Sequence, residues 1–583
     1  MKLAEHSAWY DLLHYKHHTF TGFHSQVDDD AFFLSKQGKH DASAELSATI
    51  KALFLFKKEQ HAQCLFPARL HWLNEQLDFA DALPAVSCPK FDSWKKKVDV
   101  ESITMLFPSM YLHNPGSMFG HTFLRLNKKG NSDLLNYTLS YAAAHDPEDS
   151  MLTYVYKGIS GGYTGVFSVQ PYYETVQSYG DIEQRDIWEY SLNLNQQEVD
   201  QLVRHIWEVS SLKYDYYFFR ENCSYRLLSL LDVARPGLNI TRDHHLLYAI
   251  PVDTVRSSRM ASLIKDEIYR PARGARIEQM FAQMSQSSQQ KTLNILYESA
   301  DFDLSEFSDN EQAKILETAH EITQLDEAQD DLSEKILSLR SQIKLEASEN
   351  LFAYKAQRPD DGHDSARWNI AYGEKENNQY IEMGLRPAFH DLLDRDQGFV
   401  KGSAITVLDT RVRWYEVQQR LQLEYLSFFS MTSLSPIKPW GKPLSGRLNL
   451  FVQQEAINAQ VDAKVFNIDT ALGYSFEWND SLFYSLMDSQ LSYTKKYEHN
   501  YIFSLGAEVG ALMLFENSRM QFRSRFLYDV AGEQRDKEKH EWIYQYDINK
   551  NNGLRFKFSI SKSGLNNMRL REQDAQINYL MYF

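Results

Sequence analysis

The sequence predicts an α+β domain with helical flanking segments, followed by an antiparallel transmembrane β-barrel of about 12 strands. Three observations predict it. After residue 365 or so the apolar pattern repeats every second residue and stays that way to the end. The chain holds 34 Tyr and 34 Phe at a mean hydropathy of −0.49, so its aromatics are not gathered into long apolar runs. Between about 96 and 275, glycine-rich and strand-like stretches alternate with helical ones.

The chain divides by pattern into four regions. Residues 1–95 are helix-rich, and "DASAELSATIKALFLF" carries apolar residues at three- and four-residue spacing. Residues 96–275 form the mixed domain. Residues 276–364 are acidic and helical, with "SEKILSLRSQIKLEA" the clearest amphipathic stretch, and are expected to form a connecting helical hairpin.

Residues 365–583 make the barrel. In "GLRFKFSISKSG", Leu554, Phe556, Phe558 and Ile560 share one face, with Arg555, Lys557 and Ser559 on the other. "EWIYQYDIN" sets Trp542, Tyr544, Tyr546 and Ile548 against Gln545, Asp547 and Asn549. "RMQFRSRFLYD" and the terminal "DAQINYLMYF" follow the same rule. Long strands, aromatic on one side and charged on the other, meet lipid outside and water inside, and closure removes the edges that lipid does not tolerate. A soluble β-sandwich also alternates, but its outer face carries polar residues.

The totals narrow the function. With 62 Lys+Arg against 78 Asp+Glu, the 583-residue chain carries −16. That balance excludes a phosphate-tracking nucleic-acid binder. No run of about 18 apolar residues is present, so no membrane-spanning helix is expected. The start, "MKLAEHSAWY", lacks the apolar segment of an export signal. The barrel nonetheless places the chain in a bacterial outer membrane with the mixed domain in the periplasm, so a signal is expected to have been removed.

The chain has 3 Cys. Cys64 and Cys88, 24 positions apart in similar proline-containing contexts, are expected to pair in an oxidising compartment. Closing such a loop stabilises by about 3 kcal/mol in the chain-entropy picture. The alternative is three reduced, buried thiols. No metal-ligand spacing accompanies these residues, and no metal or cofactor is expected.

The odd thiol, Cys223, lies in "YYFFRENCSYRLLSLLDVARPG". Asn222 is a suitable N-cap, which places Cys223 in the first helical turn, where backbone N–H groups favour a thiolate. A nucleophilic cysteine needs a nearby base. His121 follows the loop "NPGSMFG" and is expected to open the strand "HTFLRL". A hairpin centred near Lys129–Gly130 would set Thr138 across from His121, with Asn136 and Ser140 diagonal to it. One of these three is expected to orient the second ring nitrogen. Asn222 and the N–H of Cys223 are the candidate oxyanion donors, and Ser117 and Gly120 the loop residues that position the site. His113, His145 and His205 are weaker candidates for the base, and Arg185 and Asp186 are expected to pair with each other.

The order of histidine, polar residue and then cysteine at a helix start is the reverse of papain and that of the circularly permuted papain-like (NlpC/P60) hydrolases. "GHTFLRL", "SYAAAH", "YKGISGGYTGVFSVQPYYETVQSY", "IEQRDIWEYSLNL" and "YDYYFFRENCSYRLLSLLDVARP" resemble the Lnb-type family, whose N-terminal periplasmic domain is also called DUF4105. The likeness runs from about residue 100 to 260. It implies a permuted papain-like domain and a thiol acyltransferase in which Cys223 takes an acyl chain from a membrane phospholipid. An amine, such as a lipoprotein N-terminus, or water would then accept it. One departure concerns the third member: where the family carries an asparagine after "SYA", this chain has Ala144. The fused barrel also departs from members anchored by helices.

Two other classes fit the same pattern. A peptidoglycan amidase or endopeptidase would suit the papain-like relationship, and a barrel pore or transporter with a periplasmic partner-binding domain would need no catalysis.

Overall fold

A computed structural model describes residues 2–583 apart from 19–21, 56–60, 111–118, 131, 147, 184, 245–247, 298–301, 326–328, 345–350, 459–460, 533–534 and 566–567. The chain forms two compact units, residues 1–279 and 280–583.

The first unit is built on a seven-stranded antiparallel sheet. Its strands are β1 (Val100–Pro108), β2 (Phe123–Lys128), β3 (Tyr137–Ala144), β4 (Tyr163–Pro171), β5 (Ile187–Leu192), β6 (Tyr214–Tyr216) and β7 (Ile264–Arg270). They lie in the order β6-β4-β3-β2-β1-β5-β7. Two helices matter for the site, α1 (Gln196–Val209) and α2 (Cys223–Ala234). An Asn195–Glu198 capping box starts α1. Every residue of α2 is buried, so this helix runs through the core rather than along the surface. Two of its charged members find partners there: Asp232 accepts from the N–H groups of Ile240 and Thr241, and Arg226 pairs with Glu221.

Residues 1–95 lie within the first unit. Besides helices they contain a short hairpin, Tyr15–His18 with Gly22–Ser25, and they pack on α1. The indole N–H of Trp207 donates to the Cys64 carbonyl at 2.8 Å, and the Glu208 carboxylate accepts the N–H groups of Ala68 and Arg69. His205, a weaker candidate for the base, is buried in a chain of hydrogen bonds between His14 and Glu208, each contact 2.9 Å. Cys64 and Cys88 form a disulfide with their Cα atoms 5.2 Å apart.

In the second unit the acidic segment is not a single hairpin. Helices Gln286–Tyr297, Asp309–Thr323 and Asp330–Gln342 share an apolar core of Met280, Met284, Ile295, Ile315, Leu316 and Ile336. The rest is a closed antiparallel barrel. Its first strand, Arg367–Lys375, pairs with Asn378–Arg386 on one side and with the last strand, Met568–Tyr582, on the other. Asn378–Arg386 pairs with Ser403–Tyr415, and each later strand pairs with the next. The ring closes at 12 strands among the described residues, and the short Ala388–His390 adds to Ser403–Tyr415.

Alternation decides what faces where. Trp542, Tyr544, Tyr546, Phe556, Phe558, Ile577 and Tyr579 are exposed on the outside, whereas Asp469, Asp488, Glu508 and Glu541 are buried within beside the half-buried Arg447 and Arg523. The interior charges are laced by ion pairs. Arg447 reaches Glu508 at 2.7 Å and Asp488 at 2.8 Å, and Arg525 reaches Asp488 at 2.7 Å and Asp469 at 2.8 Å. An apolar, aromatic exterior around a charged interior is the pattern of an outer-membrane barrel.

Candidate functional site

Cys223 and His121 come together at the starts of two elements of the first unit's core, α2 and β2. The Asn222 side chain accepts the N–H of Tyr225 at 3.2 Å, which starts α2 and sets Cys223 at its first position. His121 lies just before β2, two residues short of the strand it was expected to open. Its N–H donates to the Pro108 carbonyl at the end of β1, at 3.2 Å. The result is a 3.0 Å contact between Cys223 Sγ and His121 Nδ1, with both side chains buried.

The two hydroxyls that flank this pair also meet. Thr122 and Ser224, the residues after His121 and Cys223, share a 2.8 Å hydrogen bond and so tie the start of β2 to the start of α2. The N–H groups of Thr122 and Ser224 face the sulfur and favour its thiolate. Burial works the other way and dominates, pushing the thiol up. The same burial, with Arg185 as the second cause, pushes His121 down to about 3. The resting pair is therefore a neutral thiol beside a neutral imidazole, and the helix terminus does not produce the low-pKa thiol expected from the sequence.

Gly120 acts through its backbone and the space beside it. Its φ is +97°, and a Cβ there would lie 2.7 Å from the Phe107 ring and 3.2 Å from the Pro108 carbonyl. It is needed for the turn that delivers His121. Ser117 lies outside the described residues.

The three candidate orienting residues are elsewhere. Arg125, not His121, stands opposite Thr138, and Leu124 opposite Leu139. The connection takes up more chain than a simple hairpin turn. Asp133–Leu135 forms a 3₁₀ turn, and the Asn136 amide oxygen accepts the N–H of Lys128 at 3.0 Å, closing the loop. The Thr138 hydroxyl donates to the Gln170 carbonyl and meets Thr175 at 2.9 Å, while Ser140 meets Ser168 at 2.6 Å. All three residues stitch β3 to its neighbours, and none bonds to His121.

Asn222 is likewise committed. Its amide nitrogen donates to the carbonyls of Phe218 at 2.9 Å and Ala249 at 2.6 Å, so it caps the helix and fixes the preceding loop rather than offering a free donor. The N–H of Cys223 faces the Tyr216 hydroxyl. In the sequence Tyr216 belongs to an aromatic run, and in the fold much of that run is core. Tyr216 stacks on Tyr141 with centroids 5.6 Å apart, and Tyr214 packs against Tyr141 and Phe167. The glycine-rich stretch serves the same packing: at Gly161, with φ +80°, the missing Cβ leaves space for the Tyr217 ring.

Sequence reasoning does not reach what lies on the other side of His121. The Tyr179 ring is parallel to the imidazole within 5°, with centroids 6.0 Å apart, and Phe123 meets it edge-on at 4.6 Å. Tyr179 belongs to a π-helical turn, Gln177–Ile182, for which the sequence carries no periodic signal. Arg185 pairs with Glu183 at 2.9 Å rather than with Asp186, because neighbouring residues of an extended chain point to opposite sides. Asp186 instead accepts the N–H of Ala272 at 2.8 Å.

Among the described residues one group offers a metal-ligand set, His363, His390 and Asp394 in the second unit. There the two imidazoles bond to each other at 2.9 Å, and Asp394 is held by Arg386 at 2.6 Å and by Arg367 and Arg555. Three guanidinium groups around it oppose a cation.

Residues 90–259 match the family model described as the Lnb N-terminal periplasmic domain. Residues 1–76, 267–350 and 356–582 match three domains of unknown function, DUF7843, DUF7842 and DUF7840. No curated protein matches the chain. Among solved structures, the chain is similar to the COG4313 outer membrane channel from Pseudomonas putida F1, at 7% identity over 41% of this chain and 100% of that one, with a TM-score of 0.26. It is also similar to the KdgM porin in complex with disordered oligogalacturonate, at 7% identity over 37% of this chain and 99% of that one, with a TM-score of 0.22. OmpT of Vibrio cholerae follows at 6% identity over 37% and 98%, with a TM-score of 0.19.

Proposed function

We propose that the first unit is a thiol enzyme of acyl transfer or hydrolysis, anchored by the barrel in the outer membrane, with Cys223 as nucleophile and His121 as base. The observation that carries the reading is the 3.0 Å contact between Sγ and Nδ1, made by residues 102 positions apart in sequence. The preferred acyl donor is a membrane phospholipid and the acceptor a lipoprotein amine or water, as the match to the Lnb periplasmic domain suggests. A permuted papain-like arrangement of the domain is part of the same proposal.

The chemistry follows from the pair. As Sγ bonds to the ester or amide carbonyl carbon, the thiol proton passes to Nδ1 of His121. The oxyanion is met by the N–H of Cys223 and the adjacent Tyr216 hydroxyl, a donor type typically worth about 3 kcal/mol each. The tetrahedral species collapses, the leaving group takes the proton from His121, and a thioester remains on Cys223. An amine or water attacks that thioester, passes its proton to His121, and releases the thiol as the proton returns to sulfur.

Mass spectrometry of the intact protein after exposure to phospholipid vesicles tests this. An acyl adduct on Cys223 that is lost in His121→Ala is expected. Release of muropeptide amides without a lipid adduct would point to the amidase instead.

A second reading concerns the barrel, which encloses a cavity of about 470 Å³ lined by Arg413, Arg523, Lys557, Glu382 and Glu541 among others. A charged lumen suits passage of polar solutes, with the first unit as a partner-binding domain. Steady conductance in planar bilayers, unchanged in Cys223→Ala, would favour it.

A further inference from the structure

We propose that Tyr179 and Arg185 are the positioning residues of the Cys223–His121 pair, in the place where a hydrogen-bonded polar residue was expected. The inference rests on the reading of that pair as the reacting groups.

Four observations carry it. Asn136, Thr138 and Ser140 are engaged elsewhere, and no side chain among the described residues hydrogen-bonds to the second nitrogen of His121. The imidazole instead packs against two rings that also touch each other, Tyr179 parallel to it and Phe123 nearly perpendicular to both. The Arg185 guanidinium lies over the Tyr179 ring, 5.0 Å from its centroid, and is itself buried. Its position is fixed by three partners: Nε donates to the Ser109 carbonyl at 2.7 Å, and the terminal nitrogens bond to the Pro108 carbonyl at 3.2 Å and the Glu183 carboxylate at 2.9 Å.

The Pro108 carbonyl links the two halves of this arrangement. It accepts from Arg185 and also from the backbone N–H of His121. One guanidinium thus braces the imidazole twice, through the stacked ring and through the carbonyl that anchors its main chain.

The arrangement has a chemical sense. A parallel aromatic ring fixes the plane of the imidazole, so the lone pair of Nδ1 stays aimed at Sγ without a second hydrogen bond. The buried positive charge of Arg185 disfavours the imidazolium and favours the thiolate, so it keeps the base unprotonated and ready to accept. The groups that face the pair are Arg185 and, beside it, Glu183, then Tyr179, and Tyr216 next to Cys223.

Cys64 and Cys88 are joined, which leaves Cys223 as the one free thiol of the chain. Alkylation of the full-length protein in detergent by iodoacetamide, followed against pH, therefore reports the pair without any substrate. Arg185→Gln is expected to move the alkylation midpoint to higher pH and to slow the reaction near neutrality by about tenfold, the change that one pKa unit gives. Tyr179→Leu is expected to slow it to a similar degree, while Tyr179→Phe, which keeps the ring, retains the wild-type profile.

Wild-type profiles in both Arg185→Gln and Tyr179→Leu would overturn the proposal. Should Arg185→Gln fail to fold, the contrast between Tyr179→Leu and Tyr179→Phe decides alone. His121→Ala separates the two levels. A profile unmoved by His121→Ala overturns the reacting pair itself. A profile moved by His121→Ala but not by the Tyr179 and Arg185 variants overturns only their positioning role.

Discussion

Nδ1 of His121 lies 3.0 Å from Sγ of Cys223 in a site where burial holds the imidazole down to about 3 and the thiol above its ordinary value. A helix N-terminus is worth about 0.3–1 kcal/mol to an anion at its first turn. Removing the sulfur from water costs more, so the two groups rest neutral. The first expectation follows. Ultraviolet titration of the thiolate gives a midpoint above that of an exposed cysteine, and no thiolate band at neutral pH. A band already present there would show a preformed ion pair.

The same burial makes His121 a stability element with a defined sign. The folded unit prefers the neutral ring, so its contribution is complete above the unfolded value near 6.5 and is lost as pH falls toward about 3. Linkage puts the full effect at up to about 5 kcal/mol. His121→Gln carries no such term. In acid titration of the full-length protein, the variant is expected to lose stability more gradually than wild type between those two pH values. Parallel acid limbs would contradict the burial argument.

These features differ in how far the sequence betrays them. Strand alternation is local, so the faces of residues 541–549 and 553–564 are readable from period two alone and appear in the barrel as expected. Cys223 is readable because Asn222 and the following leucines announce a helix start. The partner of His121 is not, since strand register depends on the turn. The 3₁₀ turn at Asp133–Leu135 and the Asn136 side chain together displace Thr138 from His121 to Arg125. Tyr179 is hidden for a related reason: a π-helical turn has neither the strand nor the α-helix period. The buried course of α2 is hidden too, because Arg226 and Asp232 read as a polar face until their partners are known.

Gly120 offers a backbone test of the same site. With φ at +97° and the Phe107 ring only 2.7 Å from where a Cβ would stand, Gly120→Ala adds both a strained dihedral and a clash, together about 2–3 kcal/mol. The expected outcome is a lower unfolding temperature together with slower alkylation of Cys223, because the turn that delivers His121 shifts. Unchanged values for both would mean that the loop relaxes freely.

The Cys64–Cys88 disulfide closes a separation of 24 residues. Its loss is expected to cost about 3 kcal/mol, and the effect concentrates where Trp207 bonds to the Cys64 carbonyl. Hydrogen exchange of the double variant Cys64→Ser/Cys88→Ser should show reduced protection in Pro67–Leu77 and α1, with the barrel strands unaffected. Loss of protection in the barrel would mean that the disulfide supports more than the first unit.

Arg447 tests how the barrel interior holds together. Its guanidinium serves Glu508, Asp488 and Asp469 on three other strands, and Arg525 serves two of the same carboxylates. Arg447→Met removes the guanidinium that these three acids share, and removing one partner of such a buried cluster costs about 3–5 kcal/mol. The temperature at which the folded band is lost on semi-native gels is expected to fall clearly. Arg447→Lys should recover part of the loss, since a point charge remains without the fork that reaches three carboxylates. Arg447→Met combined with Glu508→Gln should recover part by removing the charge left behind. A single variant as heat-resistant as wild type would mean that water inside the barrel, rather than the guanidinium, neutralises these acids.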